Sequence, residues 1–138
     1  MSDLVRASIP QVMGDSEFVG LFEDGSDEWH QQRSVGVGSS EVASCIDAPG
    51  AYKSKYALWL EKCGYYTPPE PDEATQELFR LGHLVEGLLD EYLKQDRPHE
   101  IAINAGSWRH VDNHSALLNP DRLVWDTQDQ RWRGREYK

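Results

Sequence analysis

The segment Asn119-Pro-Asp-Arg-Leu-Val-Trp-Asp-Thr-Gln-Asp-Gln-Arg-Trp-Arg-Gly-Arg-Glu-Tyr-Lys138 decides how the chain folds. It reads as a β-hairpin whose turn is centred between Gln128 and Asp129. In that register Trp125 faces Trp132, a favourable aromatic cross-strand pair, and Asp126 faces Arg131, a favourable charge pair. Four pairs further out than Trp125 and Trp132, Asp121 faces Glu136. Side chains alternate along a strand and opposed residues share a face, so Asp121, Glu136 and Lys138 converge. The turn carries no Asn-Gly or Asp-Gly, so the register rests on these pairs and not on turn chemistry.

Outward from the hairpin, a period of two begins after Pro98, where Ile101 and Ile103 alternate with Ala102 and Asn104. Further strand-like pieces are expected at residues 108–111, 117–118, 123–125 and 131–137. Before Pro98 the period is helical. Ala74, Leu78, Leu81, Val85, Leu88 and Tyr92 recur at steps of three and four, which predicts a long central helix over residues 72–95. A helix over 54–62 is followed by Gly64, in the position that favours a left-handed turn. Another is expected from Ser39 to Ile46, capped by Ser39. A short one over 27–33 has Ser26 as cap, acids in its first turn and Arg33 in its last. Residues 1–25 show no sustained period and read as a flexible arm with at most one short helix over 16–23. Helices first and strands afterwards give an α/β chain of α+β-like order, with N-terminal helices and then a mixed β-sheet.

With 138 residues, the chain is expected to form one core. Five Trp, six Tyr and three Phe supply bulky packing material and argue against wholesale disorder. No apolar run is long enough for a membrane span, and the first thirty residues lack the basic and apolar regions of a signal peptide. Cys45 and Cys63 are too few for a disulfide framework or a four-cysteine cluster, so a reducing cytoplasm is expected. The net charge of −10 counts against a simple phosphate-binding surface. Its distribution matters more, because residues 122–138 hold five bases and three acids. An acidic total also suits an enzyme that gathers carboxylates around divalent cations.

Two facing carboxylates repel unless a cation lies between them, and hard oxygen ligands suit Mg²⁺ or Mn²⁺ better than zinc. A Glu-x-Lys pair alone is an ordinary solvated strand feature. Here it follows a Pro-Asp, and the order Pro120-Asp121 then Glu136-Tyr137-Lys138 resembles the PD-(D/E)XK nuclease signature. Upstream stand Trp29-His30 and Arg33, then Gly36, Ser40, Glu41 and Val42, then Gly82 and Glu86 on the long helix. Together, over residues 28–138, these motifs resemble in the same order the phage lambda exonuclease and YqaJ-type viral recombinase family.

That resemblance implies a restriction-endonuclease-like core and a Mg²⁺-dependent (or Mn²⁺-dependent) deoxyribonuclease. Its metal ligands would be Glu86, Asp121, Glu136 and the carbonyl of Tyr137, and its catalytic set Glu86, Asp121, Glu136 and Lys138. Lys138 would orient the attacking water, while Arg33 and Ser40 would hold the 5′-phosphate of a DNA end. It further implies 5′→3′ digestion of linear duplex DNA in phage-type recombination, a single-strand annealing protein as partner, a homotrimer, and a cytoplasmic location in a bacterium or phage-infected cell. Two departures stand out. The family commonly reads Pro-Asp-Gly where this chain has Arg122, and the chain stops at Lys138, before a further helix and strands of the family. The chain is therefore expected to be the N-terminal part of such a domain, residues 26–138, cut short at its C-terminal end. The rival reading is a truncated, non-catalytic module that binds DNA ends or a protein. His83 reads as an exposed or hydrogen-bonded side chain, and the two cysteines as small hydrophobes.

Overall fold

A computed structural model describes residues 9–137. Lys138, one of the expected catalytic residues, lies outside them. The chain divides into two compact units. One holds Pro10–Pro68 and Gly106–Pro120, and the other, called here the hairpin unit, holds residues 69–105 and 121–137.

In the hairpin unit, strands β4 (Glu100–Asn104), β7 (Arg122–Asp126) and β8 (Arg131–Arg135) form an antiparallel sheet in the order β4-β7-β8. The hairpin register is the expected one, with Arg122↔Arg135, Trp125↔Trp132 and Asp126↔Arg131 opposed. The Trp125 and Trp132 rings lie 5.4 Å apart. The charge pairing differs from expectation: Asp126 takes its ion pair at 3.0 Å from Arg133, and Arg131 turns to Asp129 at 3.3 Å. Arg133 is the diagonal neighbour on the same face, within reach of a long side chain. Asp126 is buried and also accepts the backbone N–H groups of Gln128 and Asp129 at 2.9 and 3.0 Å. Those bonds, with Gln130 at φ 50°, close the turn that no Asn-Gly marks. The long helix spans Glu73–Asp96, and Asp72 caps it by accepting from the N–H of Thr75 at 2.8 Å.

The second unit has a five-stranded mixed sheet in the order β1-β2-β5-β6-β3, from Val12–Met13, Ser16–Gly20, Ser107–His110, Ala116–Leu118 and Val37–Gly38. Its helices are α1 (Asp27–Ser34), α2 (Val42–Cys45) and α3 (Lys55–Lys62), so the long helix is α4. Ser26 and Ser54 cap α1 and α3 through the N–H groups of Trp29 and Ala57. Gly64 closes α3 at φ 73°, as its position suggested.

Two expectations fail in this unit. Residues 16–23 are not helical; Ser16–Gly20 is a strand paired with β5, where Phe18 meets Trp108 edge-on at 5.3 Å and Glu17 binds Arg109 at 2.6 Å. Cross-strand packing outweighs the weak helix signal, and Gly14 at φ 56° makes the tight turn from β1 to β2. Residues 39–46 form a 3₁₀ turn, Ser39–Glu41, before α2. Glu41, not Ser39, reaches back to a backbone N–H, that of Gly38, at 2.9 Å. Gly36 has a steric reason: a Cβ there would lie 2.4 Å from the carbonyl oxygen of Ser115, as β3 runs parallel to β6.

Candidate functional site

Asp121 and Glu136 each stand one residue outside the paired part of the hairpin, at its open end. Asp121 is half-buried, and its carboxylate accepts the backbone N–H of Tyr137 at 2.6 Å. That bond fixes the Pro-Asp carboxylate against the Glu136-Tyr137 peptide. The Glu136 side chain is exposed.

Helix α4 contributes in an unexpected way. Its apolar stripe does not form its buried face, since Leu78, Val85, Leu88 and Tyr92 are between 53% and 71% exposed. The half-buried residues of its second half are Glu86, Leu89, Asp90 and Leu93, spaced at three and four residues. Gly82, one turn before Glu86, has open space around it. His83 is hydrogen-bonded, as its sequence context suggests: Nδ1 binds the carbonyl of Phe79 at 2.8 Å.

Between the two helix acids stands Arg122. Its Nε and one terminal nitrogen donate to Asp90 at 2.9 and 2.7 Å. The other terminal nitrogen donates to the carbonyl of Asp121 at 2.6 Å and lies 3.7 Å from Glu86. The Tyr137 hydroxyl also donates to Asp90, and the guanidinium sits over the Tyr137 ring at 5.7 Å. Burial alone would push the Asp90 carboxyl up, but the hydrogen bonds from Arg122 and Tyr137 and the arginine charge outweigh it and leave Asp90 below the usual range. Burial and the bond to Asp90 push the Tyr137 phenol up to about 12. Asp90 and the position taken by Arg122 escaped the sequence reading. The signal for Asp90 was its spacing, one helical turn after Glu86.

For metal binding, two hard carboxylates and a backbone carbonyl at Asp121, Glu136 and Tyr137 are a suitable donor set for Mg²⁺ or Mn²⁺. The ligand atoms of Glu86, Asp121 and Glu136 do not converge as a set within 4.8 Å of one another. Among the described residues His99, Glu100 and Asp126 do. Their carboxylates are already matched by cations, Glu100 by Arg135 and Asp126 by Arg133. These are ion pairs that knit the sheet of the hairpin unit.

In the other unit, Arg33 ends α1 half-buried, its guanidinium 4.7 Å above the Trp29 ring. Ser40 is exposed in the 3₁₀ turn. Lys62 ties the two segments together, donating to the carbonyl of Arg33 at 2.8 Å and pairing with Glu41 at 2.9 Å. No sequence signal marked it, because the contact spans 29 residues. Beside Arg33, the amide of Gln32 is buried with no hydrogen-bond partner among the described residues.

An α+β chain with a mixed sheet, and a hairpin that sets a Pro-Asp carboxylate beside a Glu-Tyr strand end, defines a protein with a nuclease-like core. The family model of the YqaJ-like viral recombinase domain matches residues 28–138, and the chain belongs to that family. Comparison with curated proteins and with solved structures gives no significant match. No helix among the described residues is long and apolar enough to cross a membrane.

Proposed function

We propose that the chain is the nuclease part of a phage-type recombination system, a Mg²⁺-dependent or Mn²⁺-dependent deoxyribonuclease acting on the ends of linear duplex DNA. Membership of the recombinase family supports this. The observation that carries it is the bond from the Tyr137 N–H to Asp121, which holds one carboxylate at the strand end that bears the other. Asp121, Glu136 and the Tyr137 carbonyl hold the divalent ion. Such an ion lowers the pKa of a bound water and offsets the charge on the scissile phosphate. Lys138 orients the attacking water from the residue that follows. Arg33 grips the terminal 5′-phosphate through its planar fork, and Ser40 adds a hydroxyl donor. Stacking on Trp29 holds the guanidinium flat, which lowers the entropy lost on binding. Digestion from 5′ to 3′, an annealing protein as partner, a trimer and a cytoplasmic location complete this reading.

The test is degradation of a linear duplex carrying 5′-phosphates, with Mg²⁺, with EDTA, and with Glu136→Ala. Metal-dependent loss of duplex that falls to background in Glu136→Ala is the expected result. A second reading, a DNA-end-binding module without cleavage, draws on the engagement of Glu86 by Arg122. Under it the duplex is retained on the protein and recovered intact with Mg²⁺ present.

A further inference from the structure

Two carboxylates one turn apart on a half-buried helix face repel each other and call for a cation. At Glu86 and Asp90 that cation is part of the chain. Arg122 holds Asp90 through two nitrogens at 2.9 and 2.7 Å and stands 3.7 Å from Glu86. Its remaining bond, to the Asp121 carbonyl, and its place over the Tyr137 ring hold the fork in position. An arginine stays charged throughout the pH range in which proteins fold. A Mg²⁺ ion needs carboxylate oxygens at about 2.0–2.1 Å in near-octahedral order. The oxygens of Asp90 are already engaged by the guanidinium. A second positive ion beside it would meet like-charge repulsion in a partly desolvated place. Tethering also presents the guanidinium at an effective concentration on the order of millimolar or more, so free Mg²⁺ has little advantage in competing for the pair.

We propose that Arg122 is a tethered counter-ion that closes Glu86 and Asp90 to divalent cations, so that Glu86 is not a metal ligand in this chain. Among the described residues, the site at Asp121 and Glu136, which belongs to the functional reading above, is then the one that the carboxylates of the hairpin unit's open end provide. Arg122 acts there as a positioning residue, holding the Asp121 backbone to the helix while supplying the positive charge.

The experiment counts Mn²⁺ ions bound by the intact chain, from the electron paramagnetic resonance signal of free Mn²⁺. It compares wild type, Glu86→Gln, Arg122→Gln, Arg122→Gly and the double variant Arg122→Gln/Glu86→Gln. Thermal melting confirms that each is folded. The expected result is that Glu86→Gln leaves the wild-type count unchanged, that Arg122→Gln binds one ion more than wild type, and that the double variant loses that extra ion. Loss of an ion from the otherwise wild-type chain on Glu86→Gln overturns the proposal and needs no change at Arg122. Equal counts in wild type and the folded Arg122 variants overturn it too. If wild type binds none and Arg122→Gln binds one that depends on Glu86, the proposal stands while the metal-dependent reading of Asp121 and Glu136 falls.

Discussion

At the residue scale, Asp90 shows how a neighbour can reverse the effect of burial. Its folded pKa lies below the ordinary 3.8, so its contribution to stability is complete above that value and is lost as pH falls through the folded pKa. Wild type should therefore be more stable than Asp90→Asn at pH 7, with the difference closing below about pH 4. Urea melts of the two proteins at neutral and acid pH check this, and a constant difference would show that the Asp90–Arg122 charge pair is not its source. Gln32 presents the opposite case, a buried amide that nothing among the described residues satisfies. Exchanging such a group for an apolar one of similar shape removes a desolvation penalty of about 1–3 kcal/mol. Gln32→Met is expected to raise the melting temperature; a lower one would mean that the amide has a partner in solution. Asp121, Glu136 and Arg33 could be picked out from motif order, but Asp90 and Lys62 could not. Their roles come from Arg122 and Glu41, which are neighbours only after folding.

At the element scale, the Ser26 cap was legible because capping is local: its hydroxyl accepts from the N–H of Trp29, three residues on. Ser54 and Asp72, read as helix residues, cap their helices in the same way, while Ser39, read as a cap, does not. Ser26→Ala should cost about 1 kcal/mol, measured by chemical denaturation. Leu88 shows where local reading stops. It sits in the middle of the apolar stripe of α4, yet it is 71% exposed. Leu88→Gln is expected to change stability by no more than about 0.5 kcal/mol. A cost of about 2–5 kcal/mol, the range for a buried leucine, would show that the stripe is covered in solution. Strand β2 was misread for a related reason. Its five residues carry too short a pattern to separate strand from helix, and Phe18 on Trp108 with Glu17 on Arg109 decides the matter across 90 or more positions of sequence.

At the scale of the whole molecule, a net charge of −10 sits uneasily with a polyanionic substrate. Weak binding of duplex in EDTA is expected, with affinity falling steeply between about 50 and 200 mM salt. Binding should strengthen when Ca²⁺ is added, because a cation at Asp121 and Glu136 turns local repulsion into attraction. Filter retention of end-labelled duplex would measure this, and binding indifferent to both salt and Ca²⁺ would remove the carboxylates from the DNA site. The hairpin register, the long helix, the α+β order and the family were all written in the sequence. Each depends on residues within a few positions of one another, or on motifs that keep their order along the chain. The tertiary structure alone decided which face of α4 is covered, that Ser16–Gly20 joins a sheet, and that Arg122 stands between Glu86 and Asp90. Those outcomes follow from contacts between distant segments, where one charged or aromatic partner outweighs the small preferences that local sequence expresses.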